Sequence, residues 1–184
     1  VTYENITMSK VANPIFMIVT DRGRSPENPP VGKIKNVTFK NITVTDAYGY
    51  IKDRKFTSTI SGHPQSAIEN VTFENVKMTY KGGGTKDQAI INVPYTDEYS
   101  PRHLGIRPAS GFYIRHANGL SFKDVSLEFE EPDFRPAFVV ENSVDVKFEN
   151  VKIPKVDGCE FDVVLKNVAG VADVGKGLRI RERN

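Results

Sequence analysis

Residues 71–78 read Val-Thr-Phe-Glu-Asn-Val-Lys-Met, and the same pattern returns at 1–8 (VTYENITM), 37–44 (VTFKNITV), 120–127 (LSFKDVSL) and 146–153 (VKFENVKI). From the first residue of each copy, the template is apolar at position one, aromatic at three, Asn or Asp at five, β-branched at six and apolar at eight. The aromatic position holds Tyr3, Phe39, Phe73, Phe122 and Phe148; the Asx position holds Asn5, Asn41, Asn75, Asp124 and Asn150. The alternation has period two and is rich in Val, Ile, Thr, Phe and Tyr, as a half-buried strand requires. Gly and Pro punctuate the chain throughout, so very little helix is expected.

Copies start 36, 34, 49 and 26 residues apart. A variable interval suits a solenoid whose turns keep their strands and vary their loops. A second family of strands is predicted between the copies, at 14–19 (PIFMIV), 89–93 (AIINV), 112–116 (FYIRH) and 136–141 (PAFVVE). Asn36, Asn70, Gly119 or Asp145 stands just before a copy, and each tolerates the left-handed backbone of a tight corner. Strand, corner, strand and loop, repeated in register, make an all-β, right-handed parallel β-helix of five to six coils, stacked ~4.8 Å apart. Its aromatic positions then form an internal ladder and its Asx positions an amide ladder. That structural role also accounts for Asn5, Asn36, Asn41 and Asn70, which open Asn-X-Thr sequons.

The 184 residues suit one domain, 1–184, with a real core. With 25 basic against 23 acidic residues there is no polybasic field to attract nucleic acid. No apolar run reaches the roughly 18 residues that span a membrane. The single cysteine, Cys159, excludes an internal disulfide framework. His63, His103 and His116 show no metal-ligand spacing, so neither metal nor other cofactor is expected.

Three insertions interrupt the repeat, and loops of such length are usually functional. Residues 20–35 carry Arg22 and Arg24; 46–67 carry Tyr48, Tyr50 and His63; 94–110 carry Tyr95, Tyr99, Arg102, His103 and Arg107. The third mixes aromatic faces, which cover the apolar side of a sugar, with Arg, which pairs a carboxylate. Tyr95, Tyr99, Arg102, His103 and Arg107 are therefore the candidate glycan contacts; the competing reading is a proline-rich lid sealing the side of the prism. The acidic residues Glu128, Glu130, Glu131 and Asp133 read as a solvated turn around Pro132. The charged tail 178–184 reads as a cap on the last coil, whereas Val1 opens directly on a repeat copy with no cap.

The run from Gly111 to Val125 (GFYIRHANGLSFKDV), the segment from Ile68 to Val76 with Tyr80-Lys-Gly-Gly-Gly-Thr behind it, and the opening Val-Thr-Tyr-Glu-Asn-Ile-Thr-Met resemble the C-terminal coils of glycoside hydrolase family 28. That family comprises polygalacturonases and rhamnogalacturonases, enzymes that degrade pectin. The resemblance implies a parallel β-helix, a plant cell-wall polysaccharide as ligand, and a secreted or periplasmic location. The family's Asn-Thr-Asp, Asp-Asp, Gly-His-Gly and Arg-Ile-Lys motifs have no full counterpart here. Val19-Thr-Asp, Val44-Thr-Asp and Tyr95-Thr-Asp lack the leading Asn, Ser61-Gly-His63 runs into Pro64, and Arg179-Ile-Arg lies at the wrong end. No catalytic residue is carried over. Three readings remain open: the C-terminal part of such a hydrolase, completed by upstream coils or by another copy on its first rung; a stand-alone β-helix carbohydrate-binding module; and a structural or adhesive solenoid.

Overall fold

In a computed structural model, which describes residues 1–22, 29–47 and 57–183, the chain winds into a parallel β-helix. Its strands are β1 (Thr2–Met8), β2 (Phe16–Ile18), β3 (Lys35–Ala47), β4 (Ser58–Ser61), β5 (Ile68–Gly82), β6 (Phe112–Arg115), β7 (Ala117–Glu131), β8 (Phe138–Glu149), β9 (Val163–Val174) and β10 (Ile180–Arg183). Every pairing between named strands is parallel. The only helical elements among the described residues are two 3₁₀ turns, Asp87–Ile90 and Pro101–Leu104.

One stack runs β1, β3, β5, β7, then the second halves of β8 and β9; the other runs β2, β4, β6, the first halves of β8 and β9, then β10. The described residues make six rungs, the upper end of the expectation. The register follows the template: Tyr3 pairs with Phe39, Phe39 with Phe73, Phe73 with Phe122 and Phe122 with Phe148. Consecutive rings in this column are 4.8–5.6 Å apart and within 14° of parallel, a spacing close to that of the strands themselves. Phe112 and Phe138, from the facing stack, meet the column edge-on at 68–73°.

Left-handed residues turn each corner. Asn5, Asn41, Asn75, Asp124 and Asn150 have φ of 52–57°, and Asn36, Asn70, Gly119 and Asp145 have φ of 53–74°. The amide ladder is directional: Asn41 Nδ2 donates to Asn5 Oδ1 at 2.9 Å, Asn75 to Asn41 at 2.8 Å, and Asn150 to Asp124 at 2.6 Å. A third corner line, at His116, Asn142 and Asn167 (φ 47–54°), is not apparent in the repeat.

Two expectations are corrected. Residues 89–93 are not a strand: Thr85 and Gln88 exchange hydrogen bonds across a 3₁₀ turn, and Ile90 is left exposed. The strand of that stack in rung two is instead Ser58–Ser61, in which only Ile60 is apolar. Asp133 is no solvated residue; its carboxylate is buried against Arg135, with Nη2–Oδ2 at 2.7 Å and Nε–Oδ1 at 3.0 Å. Glu128, Glu130 and Glu131 do lie on the surface, paired with Lys77 or Lys81. The charged tail ends the stack as strand β10, paired with β9, and places Arg181, Glu182 and Arg183 along the edge of the last rung. Charge on an edge strand discourages pairing with another chain.

Candidate functional site

The longest excursion from the prism joins β5 to β6, and three buried arginines hold it. Arg115, on β6, donates from Nε to Ser61 Oγ (2.8 Å) and from its two Nη atoms to the Val93 and Pro94 carbonyls (3.1 Å each). Arg107 donates to Thr59 Oγ1 (3.2 Å), to the Pro101 carbonyl (2.9 Å) and to the Gly105 carbonyl. Arg135 donates to the Arg107 carbonyl (3.0 Å). A guanidinium offers five donors in a fixed fork, so each arginine satisfies loop carbonyls that burial would otherwise orphan.

Beneath the excursion lies a second, smaller core. Val93, Leu104 and Ala109 pack onto Tyr113, Val139 and Val164, the outward-facing residues of β6, β8 and β9. Burial pushes the Tyr113 hydroxyl pKa well above the usual phenol range, and it donates to Glu141 Oε2 at 2.8 Å. The excursion thus covers one face of the prism as a lid does, and at the same time holds part of its own sequence out to solvent.

Of the candidate glycan contacts, Tyr95 and Tyr99 are 59% and 55% exposed, and Arg102 and His103 are exposed on the second 3₁₀ turn. Arg107 is fully buried, so its role is to brace the loop rather than to meet a sugar. Tyr48, Tyr50 and Arg24 lie outside the described residues.

The structure brings Tyr95, but not Arg102 or His103, to a cavity of about 260 Å³. Asp21, His63, Asp97 and Arg115 line it too. Three of the incomplete motifs therefore converge, Val19-Thr-Asp from the exit of β2, Ser61-Gly-His63 from the exit of β4 and Tyr95-Thr-Asp from the excursion, whereas Val44-Thr-Asp and Arg179-Ile-Arg do not line the cavity. Residue spacing gave no warning of this; only winding superposes the exits of successive rungs. Arg115 stands 4.2 Å from the Tyr95 ring centre, a cation–π contact, and Tyr95 Oη bonds His116 Nε2 at 2.5 Å. Partial burial and the neighbouring Arg115 and His63 hold the His116 imidazole below its usual pKa. At the rim, Arg22 is ion-paired with Glu98 and stacks 5.1 Å from the Tyr99 ring centre.

The neighbouring Asp21 carboxyl holds Asp97 above the usual carboxylate range. Between the ordinary carboxylate pKa and the raised one, the folded chain binds more protons than the unfolded one. This contact therefore supports the loop at acid pH and loses that support as pH rises through the carboxylate range. Tyr95 and Tyr99 ring resonances are expected to shift as pH rises through and above the ordinary carboxylate range, and Asp97→Asn to remove much of that shift.

Among the described residues no group of three or more His, Cys, Asp or Glu side chains is arranged to hold a metal ion. A larger cavity, of about 680 Å³, opens beside rung one; Tyr3, Ile15, Met17 and Phe39 line it together with Tyr99, so the two candidate tyrosines line different cavities.

The family model described as Glycosyl hydrolases family 28 matches residues 1–101 of the 184. No curated protein and no solved structure matches the chain.

Proposed function

The chain belongs to glycosyl hydrolases family 28, and from that premise we propose that it is the C-terminal β-helix portion of a pectinase-like hydrolase that binds plant cell-wall polysaccharide and does not cleave it alone. The observation that carries the binding half is the cavity under Tyr95. An exposed aromatic face, braced from behind by a buried arginine and flanked by carboxyl groups, offers both contacts a pyranose makes: ring stacking and hydroxyl donation. The non-catalytic half is supported by the sequence, in which the family's Asn-Thr-Asp, Asp-Asp, Gly-His-Gly and Arg-Ile-Lys motifs have no full counterpart. Such a polysaccharide lies outside the cytoplasm, so the site is one for a secreted or periplasmic protein.

The chain is to be incubated with polygalacturonate, galactan, xylan and cellulose, measuring retention and reducing ends separately. Retention on a pectic polymer without new reducing ends is expected, and Tyr95→Ala is expected to weaken it about tenfold or more, the value of one stacked aromatic. Reducing ends that disappear when one or two carboxylates are replaced would overturn the non-catalytic half. Failure to be retained on any of the polymers would overturn the binding half.

A further inference from the structure

We infer that the cavity under Tyr95 selects pyranose units that carry no negative charge: neutral hexoses, or uronic acids whose carboxyl is esterified. The inference rests on the glycan-binding reading above and adds a sign to it. Among the described residues the cavity's acidic groups are Asp21 and Asp97, both on its exposed side. Among the described residues the lining guanidinium is Arg115, which is 3% exposed, lies under the Tyr95 ring, and turns three of its five N–H donors to Ser61 Oγ and the Val93 and Pro94 carbonyls, so its fork is not presented to the cavity. A sugar carboxylate entering the cavity therefore meets carboxyl groups without the two-pronged guanidinium pairing that would stabilise it.

The two imidazoles do not reverse that balance. His63 Nδ1 accepts the Gln65 N–H at 3.2 Å, and His116 Nε2 is engaged with Tyr95 Oη. The downward shift of the His116 pKa favours its neutral form at neutral pH. At the rim, the charge of Arg22 is matched by Glu98. What remains is an aromatic platform beside hydrogen-bond-accepting carboxyls, and these suit the hydroxyls of an uncharged sugar.

The test uses the full chain at neutral pH with three probes of equal length: oligogalacturonate as the free acid, the same oligomer fully methyl-esterified, and a neutral galacto-oligosaccharide. Calorimetry is expected to show at least one uncharged probe binding about tenfold or more tighter than the acid. In an Asp21→Asn/Asp97→Asn double variant, which keeps the side-chain shapes, that gap is expected to close by about tenfold because the acid is admitted. Which uncharged probe binds tells an esterified uronate from a neutral hexose. An acid form that binds as tightly as the uncharged probes overturns the inference and leaves glycan binding intact. A gap that persists in the double variant, with native circular dichroism, also overturns it. If none of the three binds, the inference and the binding reading beneath it both fall.

Discussion

Replacing Phe122 with alanine is expected to lower the unfolding free energy by about 3–5 kcal/mol, the range for emptying a buried phenylalanine site. Phe122 is fully buried and meets four rings at once: Phe73 and Phe148 face to face at 4.8 and 5.6 Å, and Phe112 and Phe138 edge-on at 5.3 and 5.1 Å. Its neighbours are held by strands above and below, so the site cannot collapse around the void. Urea denaturation at fixed temperature gives the measurement. Phe122→Leu, which keeps most of the volume, should lose roughly half as much. A loss under about 1 kcal/mol for the alanine variant would mean that the column relaxes freely and does not act as a rigid spine.

The second large effect is expected at Asp133. Its side chain is 1% exposed and that of Arg135 2%, and the carboxylate also accepts the Gly84 and Arg135 backbone N–H groups at 3.0 Å each. Asp133→Ala strands the arginine charge in the interior, and a broken buried pair costs about 3–5 kcal/mol. Because Arg135 also carries the Arg107 carbonyl, loosening should spread into the excursion and expose Leu104. Gly84 shares this constraint, since a Cβ there would overlap Arg135 Nε and Asp133 Oδ1. Urea midpoints of Asp133→Ala and of an Asp133→Leu/Arg135→Met double variant decide the matter. If the double variant is no more stable than the single one, the lost stability came from packing and not from the stranded charge.

The fold was legible because one eight-residue template carries its register: aromatic over aromatic, Asx over Asx. Where a strand lacks that template, the reading failed. Ser58–Ser61 is all buried yet three-quarters hydroxyl, because Ser58 bonds the Tyr80 hydroxyl inside the prism (2.7 Å) while Thr59 and Ser61 serve the bracing arginines outside it. Residues 89–93 have the composition of a strand but cross outside the stack. The candidate site was half legible. Tyr95 stands out by its type and setting, but Arg107 looks the same in sequence whether it faces a ligand or braces a loop. Asp21, His63 and Asp97 become neighbours only because the exits of two rungs and a loop meet on one side of the prism, and no local pattern records that.

The aromatic column has one more consequence. It stops at Phe148, whose partner in the sixth rung is Asp173. In a stack where each rung touches only its neighbours, stability is a sum of nearest-neighbour terms. The sixth rung lacks the ring-on-ring term that the fifth has, so under load the prism gives way from one end. Pulled apart by its two termini, the molecule should peel from β10 and the second half of β9 inward, at a lower force than the rungs that follow. It would behave as a one-way zipper whose weakest tooth is set by a single side chain.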